Sequence, residues 1–236
     1  MRILAIESSA VTASVAILTD DILTAEYTIN YKKTHSQTLL PMIEEICAMT
    51  QTEPESFDLI AVSVGPGSFT GLRIGAATGK GIAFALDKKM VAVPTLKAMA
   101  YNFYGTKDII CPIMDAKRQH LYTGVYSFDD NGELEEVKEQ SLISYEELCD
   151  YLNELGKNVI FVGDGATVAA ETFEQKLTCS YSVAPANICT QRASSVAILA
   201  KKMYENGQAI SSDELSPDYL RPSQAEREMA KKQSEV

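Results

Sequence analysis

The sequence predicts an α/β protein in which one βββαβα unit occurs twice. Three observations carry this. Two stretches share a layout of apolar strand, terminal acid, polar turn and return strand: ILAIESSAVTASVAIL and IICPIMDAKRQHLYTGVYSF. Each is followed, past a helical segment, by a short buried strand running into a glycine loop, DLIAVSVGPG in one case and NVIFVGDGA in the other. The spacing from acid to glycine loop is 58 residues in the first copy (Glu7 to Gly65) and 48 in the second (Asp115 to Gly163). The boundaries read as 1–106 for the first half, 107–222 for a smaller second half and 223–236 for a polar tail.

The elements follow in order. Arg2 to Ile6 is an apolar strand ending at Glu7, Ser8 to Thr12 a polar turn, and Ala13 to Leu18 the return strand. Asp20-Asp21 turns again into Ile22 to Ile29, which closes a three-strand meander. A helix runs from Ser36 or Thr38 to Thr50, on condition that Pro41 falls in its first turn, where a missing N–H has no helical partner. Its Leu39, Ile43, Ile46 and Thr50 make one face, and Leu40, Met42, Cys47 and Met49 widen it, so the helix is expected to be covered on more than one side.

Leu59 to Val64 is a β-branched apolar run suited to a strand covered on both faces. Gly65-Pro66-Gly67-Ser68 is turn chemistry, and Ser68 or Thr70 caps a helix that reaches Leu86. In that helix Gly71, Gly75, Gly79 and Ala83 recur every fourth residue, with Gly81 beside them. Each interior glycine costs about 1 kcal/mol relative to Ala. A groove free of side chains, where another backbone approaches closely, accounts for such a seam. Close packing on the chain's own sheet and docking of a second subunit both supply that backbone. On the docking reading, Gly75→Leu leaves the fold intact and blocks the partner.

Met90 to Val93 is the next strand, and Thr95 caps a helix to Tyr104. The second copy gives strands at Ile109 to Met114, Leu121 to Phe128 and Val137 to Ile143, after an acidic stretch that begins as a solvated turn at Asp129. Ser144 to Leu155 is a helix whose Ser144 and Glu147 form a capping box. Val159 to Val162 is a strand, Thr167 caps a helix to Lys176, and Arg192 to Asn206 is the last helix, stopped by Gly207. In the polar tail, Glu228 and Lys232 are spaced as an i,i+4 pair. An antiparallel meander joined to parallel strands, duplicated, is the ribonuclease-H-like layout of the actin, Hsp70 and sugar-kinase superfamily, with mixed sheets and helices on their faces.

Composition narrows the chemistry. The net charge is −11 and the pI about 4.7, with Lys and Arg scattered in pairs, so any contact with RNA is expected through a partner. The five cysteines are widely spaced with no CxxC pair, which implies neither a zinc site nor a disulfide framework and fits a reducing cytoplasm. The apolar run after Met1 is too short for a signal-peptide core, and no stretch has the length and apolarity of a membrane span. GAATGKG departs from the GxxxxGK[ST] phosphate loop. The two histidines, His35 and His120, lack a metal-ligand spacing, and no GxSxG elbow occurs. His35 suits a hydrogen bond at a helix start.

The glycine loop feeding a helix offers N–H groups to an anion, so Glu7, Ser8, Ser9, Gly65, Gly67, Ser68 and Asp115 are candidate phosphate contacts. In the actin-like layout, acids closing the first strand of each half help hold a metal–phosphate. Glu7 and Asp115 occupy those places, and equally suit plain turns. An ATP-dependent phosphotransferase is therefore the alternative reading, against which the second half is too short to add an adenosine-binding subdomain.

HSQTLLPMI (His35 to Ile43), DLIAVSVGPGSFTGLRIGAATGKGIA (Asp58 to Ala83), VPTLKAMA, DAKRQHLYTGVY, VGDGA and PDYLRP together resemble the bacterial TsaB family, also called YeaZ. The resemblance runs from Met1 to about Pro222, and GPGSFTGLRIG is its most specific string. It implies a Gcp-like, actin-like fold and a cytoplasmic, non-catalytic subunit. That subunit pairs with a catalytic paralogue, TsaD, and works with the ATPase TsaE to place threonylcarbamoyl on N6 of adenosine 37 in ANN-decoding tRNAs. It implies no cofactor for the chain itself, ATP and magnesium entering only with the complex, and a homodimer when the partner is missing. Carried over by position, the docking face comprises His35, Ser36, Leu39, Leu40, Ile43, Ile46 and Cys47 on the first helix. On the glycine helix it comprises Gly71, Leu72, Gly75, Ala76, Gly79 and Ala83. Glu7-Ser8-Ser9 departs from the Asp-Thr-Ser of many members, which moves the carboxylate by a methylene.

Overall fold

A computed structural model describes residues 1–221, so the polar tail, with Glu228 and Lys232, lies outside the described residues. The first sheet contains β1 (Arg2–Glu7), β2 (Thr12–Thr19), β3 (Ile22–Asn30), β4 (Leu59–Gly65) and β5 (Lys89–Pro94), in the order β3-β2-β1-β4-β5. The second contains β6 (Ile109–Asp115), β7 (His120–Phe128), β8 (Leu134–Ser144), β9 (Val159–Val162) and β10 (Tyr181–Val183). Read from β8, its order is β8-β7-β6-β9-β10, which repeats the first sheet strand for strand. In each sheet three strands pair antiparallel, and the fourth lies parallel to the first. The parallel pairing requires a crossover, supplied by α1 (His35–Thr50) in one half and α4 (Tyr145–Leu155) in the other. The duplicated ribonuclease-H-like unit is therefore present in both halves.

Successive residues of β1 point to opposite layers, as the pleat dictates. Leu4 and Ile6 join Leu39, Ile46, Ile60 and Val62 beneath α1 and α2 (Phe69–Leu86). Ile3 and Ala5 join Leu59, Ala61 and Val91 against Val196, Ala197 and Ala200 of α6 (Ala193–Glu205). The second sheet is covered on one face by α4 and α5 (Gly165–Lys176), around Leu148, Phe161 and Phe173. Its other face packs on Leu96, Met99 and Tyr101 of α3 (Thr95–Tyr101). The two sheets fall on either side of residue 107, but the helices cross that line. The last helix of the second half lies under the first sheet, and α3 lies under the second.

Several boundaries differ from expectation for identifiable reasons. Helix α1 begins at His35, so Pro41 sits in its second turn and not its first. It removes the helical partner of the Gln37 carbonyl, a defect worth up to about 3 kcal/mol, and the buried face of Leu39, Met42, Ile43 and Ile46 holds the helix through it. Helix α3 stops at Tyr101, because Asn102 turns its amide to the Ile188 and Thr190 carbonyls at 3.0 and 3.2 Å. The acidic stretch extends β8 back to Leu134, where its glutamates stand on a sheet edge in solvent and discourage edge pairing. Helix α5 starts at Gly165, ahead of Thr167. The Ser144–Glu147 capping box forms as read.

Candidate functional site

The glycine seam of α2 faces inward. A Cβ on Gly71 would stand 2.1 Å from the Ser8 carbonyl oxygen, one on Gly75 2.2 Å from Ser8 Oγ, and one on Gly79 2.4 Å from a Val62 methyl. The seam seats α2 directly on β4 and the turn after β1, and Ser8 Oγ donates to the Gly71 carbonyl at 2.9 Å. Packing on the chain's own sheet is thus what these glycines do. The expected tolerance of Gly75→Leu is overturned, since its first side-chain carbon has no room. Leu72, Ala76, Gly79 and Ala83 are enclosed by the same chain, as are His35, Leu39, Ile43, Ile46 and Cys47 on α1. His35 hydrogen-bonds the Ala10 carbonyl at 2.7 Å, tying the helix start to the β1–β2 turn. Of the residues carried over as a docking face, Ser36 and Leu40 are the exposed ones.

A second period-four line runs along the outward side of α2: Arg73, Ala77, Gly81 and Ala85, all exposed. It begins two residues after the seam, about 200° round the helix, which places it on the opposite side. Nothing lies within 4 Å of a Cβ built on Gly81. Phe84 beside it is 79% exposed, and Leu40 on α1 is 51% exposed. Because α1 and α2 pack side by side over one face of the first sheet, these residues share an outward surface. The line expected from the sequence to dock is the inward one. The outward one was signalled by Gly81, the glycine that did not fit the seam.

The second feature is the cleft between the sheets. A cavity of about 360 Å³ is lined by Ser9, Gly67 and Ser68 from the first half and by Asp115, Lys117 and Asp164 from the second. Of the candidate phosphate contacts, Ser9, Gly67, Ser68 and Asp115 therefore reach it, while Glu7, Ser8 and Gly65 do not line it. Glu7 is 1% exposed, and its carboxylate accepts the Ser9 N–H at 2.6 Å. Burial pushes its pKa above the usual carboxylate range, and the Ser9 and Ser63 groups beside it, with His35, offset only part of that rise.

The acids of the second half are committed too. Asp115 accepts the Lys117 backbone N–H at 2.8 Å and pairs with Lys117 Nζ at 2.5 Å, which raises the lysine pKa. Asp164 accepts the Asp115 N–H at 3.2 Å, and burial, with the Asp115 charge, raises its pKa. Among the described residues no group of three or more His, Cys, Asp or Glu side chains could hold a metal ion. No described helix is long and apolar enough to cross a membrane.

A strap formed by residues 208–221 joins the two features. Ile210 and Met90 exchange backbone hydrogen bonds at 2.9 Å, and Leu215 is buried in the core beneath α1 and α2. The Asp218 N–H reaches the Val64 carbonyl at 2.7 Å, close enough that a Cβ on Gly65, whose φ is +132°, would meet the Asp218 carbonyl. From there the strap crosses to the second half. Gln140 donates to the Asp218 carboxylate and Arg221 to the Ala116 carbonyl, both at 2.8 Å.

Comparison with known proteins adds the family. Residues 23–229 match the family model described as TsaD, tRNA N6-adenosine threonylcarbamoyltransferase. The Bacillus subtilis protein named tRNA threonylcarbamoyladenosine biosynthesis protein TsaB is 34% identical over 226 residues, which cover 96% of each chain. The Escherichia coli protein of the same name is 26% identical over 94% of this chain and 95% of its own. A Kosmotoga olearia protein named tRNA N6-adenosine threonylcarbamoyltransferase is 29% identical, but the match takes in only 48% of this chain and 39% of that one. The structure described as YeaZ from Pseudomonas aeruginosa superposes with a TM-score of 0.79 at 24% identity, over 93% of this chain and 99% of that one, and shows the same fold. Matched along its length by TsaB proteins and over about half its length by the Kosmotoga olearia transferase, the chain belongs to the TsaB (YeaZ) family of tRNA threonylcarbamoyladenosine biosynthesis proteins.

Proposed function

We propose that the chain is a non-catalytic scaffold subunit of the machinery that places threonylcarbamoyl on N6 of adenosine 37 in ANN-decoding tRNAs. It pairs with a TsaD-type catalytic paralogue through the outward side of α1 and α2. The observation that carries the pairing is that surface, where Leu40 and Phe84 stand exposed around the small residues Ala77, Gly81 and Ala85. Small side chains let a partner helix approach closely, and exposed apolar ones supply the area to bury. With no partner present, the same surface pairs two copies of this chain. A TsaE-type ATPase acts on the assembly, and with a net charge of −11 the chain meets tRNA only indirectly. Such a subunit works in the cytoplasm, where its free cysteines stay reduced.

Size-exclusion chromatography with light scattering, on the chain alone and mixed with its cognate TsaD-type protein, tests the pairing. A homodimer that exchanges into a heterodimer is expected, and Phe84→Asp should abolish both while leaving the melting temperature near wild type. A monomer that ignores the partner, or full pairing by the Phe84 variant, overturns the proposal. The scaffold reading also expects no nucleotide bound by the isolated chain, because Glu7 is turned inward and Asp115 is paired with Lys117. Tight magnesium-dependent ATP binding in calorimetry would contradict it and revive a phosphotransferase.

A further inference from the structure

At the N-terminal end of α2 a guanidinium is held in place before any partner arrives. Arg73 Cζ stands 4.0 Å over the centre of the Phe69 ring. The Tyr219 ring packs on Phe69 with centroids 4.7 Å apart, and Arg73 Nε donates to the Tyr219 hydroxyl at 3.1 Å. Tyr219 arrives on the strap, one residue after the Asp218 N–H bond to Val64. Lower on the same helix, Lys80 Nζ donates to the Asp213 and Leu215 carbonyls of the strap at 3.4 and 3.2 Å. The strap is therefore laid along α2, and its tyrosine fixes one nitrogen of the arginine. Among the described residues the two terminal nitrogens of Arg73 have no hydrogen-bond or ion-pair partner, and the side chain is exposed.

We infer that Arg73 is the charged anchor of the α2 surface and takes a carboxylate from the partner subunit, with Tyr219 as its positioning residue. The inference rests on the pairing proposed above and names one chemical contact within it. A stacked guanidinium with Nε already bonded has lost much of its rotamer freedom in advance, so less is lost on binding. Its free edge is a planar fork that matches a carboxylate in two parallel hydrogen bonds. The position favours a protein over a nucleic acid. Arg73 heads the line that continues through Ala77, Gly81 and Ala85, where a partner helix can lie close enough for a side-chain carboxylate to reach it. The chain's net charge of −11 repels a phosphate backbone.

Calorimetric titration of the full chain with its cognate TsaD-type partner, at low and high salt, tests this. Arg73→Gln should weaken pairing about tenfold or more and flatten its salt dependence. Arg73→Lys, which keeps the charge but loses the fork and the stacking, should not restore wild-type affinity. Tyr219→Phe keeps the ring and removes the oxygen that holds Nε. It should cost about threefold in affinity in the wild-type chain and nothing further in the Arg73→Gln chain, whereas loss of a merely structural contact would cost the same in both. A wild-type chain that fails to bind refutes the pairing, and this inference with it. A wild-type chain that binds beside an equally tight Arg73→Gln refutes only the arginine assignment. Unchanged pairing with a weakened hold of the assembled complex on tRNA would mean that Arg73 takes a phosphate, and overturns the carboxylate.

Discussion

Two glycines of one helix should respond to the same substitution with opposite signs. At Gly75 an added methyl would stand 2.2 Å from Ser8 Oγ and 3.4 Å from Ser8 Cβ. Ser8 is 0% exposed, and its hydroxyl is bonded to the Gly71 carbonyl, so it has nowhere to turn without losing that bond. Overpacking costs about 1–3 kcal/mol and a broken buried hydrogen bond about 1–3 kcal/mol, against about 1 kcal/mol gained in helix propensity. Gly75→Ala should therefore destabilise by about 1–5 kcal/mol. At Gly81 nothing lies within 4 Å of the new methyl, so only the propensity gain of about 1 kcal/mol remains. For a chain of this length 1 kcal/mol moves the melting temperature by roughly 2–4 °C. Thermal and urea unfolding of the two variants should place Gly81→Ala a few degrees above wild type and Gly75→Ala roughly 2–20 °C below it. A Gly75→Ala protein as stable as wild type would refute the inward seam. A destabilised Gly81→Ala would refute the open outward side.

Glu7→Gln should stabilise the chain at neutral pH. The folded pKa of Glu7 is raised by burial above the ordinary value of about 4.3, so its contribution to stability is fully present below that value and is lost as pH rises through the folded pKa. The variant's advantage in urea unfolding should accordingly be largest near pH 7 and vanish towards pH 4, and an advantage independent of pH would refute the account. Glu26, whose side chain is 7% exposed, accepts Ser194 N and Oγ at 2.9 and 2.7 Å and pairs with Arg192. Glu26→Ala strands the start of α6 and should cost about 2 kcal/mol in the same assay, and a loss under about 0.5 kcal/mol would show the pair to be superficial. Leu215→Ala should cost about 2–4 kcal/mol and speed hydrogen exchange at the Met90 amide, which the Ile210 carbonyl protects. Unchanged exchange there would mean that the strap is not held by its leucine.

Period and punctuation carried most of the fold into the sequence. Ile3 to Glu7, Thr12 to Leu18 and Leu59 to Gly65 are enclosed strands because both faces of the first sheet are covered, and their apolar runs said so. What the sequence could not rank was the direction of α2. The lines 71-75-79-83 and 73-77-81-85 have the same period and both carry small residues, and the positions of Ser8 and Val62 beneath the helix decide which is inside. The crossing of α3 and α6 was hidden for a related reason. Apolar periodicity says that a helix is covered, not by which sheet, and Val196 or Met99 would suit either. PDYLRP was legible as a string, but its use depends on contacts from Tyr219 to Arg73, 146 residues apart.

The seating of α2 also occupies polar groups on the first-half side of the cleft. The turn after the first strand is one of the places where the sequence offers candidate phosphate contacts. Here that turn lies under the helix. Ser8 gives its hydroxyl to the Gly71 carbonyl, and the Ser9 carbonyl takes the Ser68 N–H at 2.6 Å, while the Ser68 hydroxyl caps α2 at Gly71. Glu7, one methylene longer than an aspartate, folds back onto the Ser9 N–H and is sealed from solvent. The Ser8 hydroxyl and the Ser68 N–H and hydroxyl are thus engaged in holding a helix, and glycines at 67, 71 and 75 are what let the helix come close enough to use them. A ligand turn and a helix seat are exclusive uses of the same atoms. This chain has committed those of Ser8 and Ser68 to the helix whose other side is the proposed docking face.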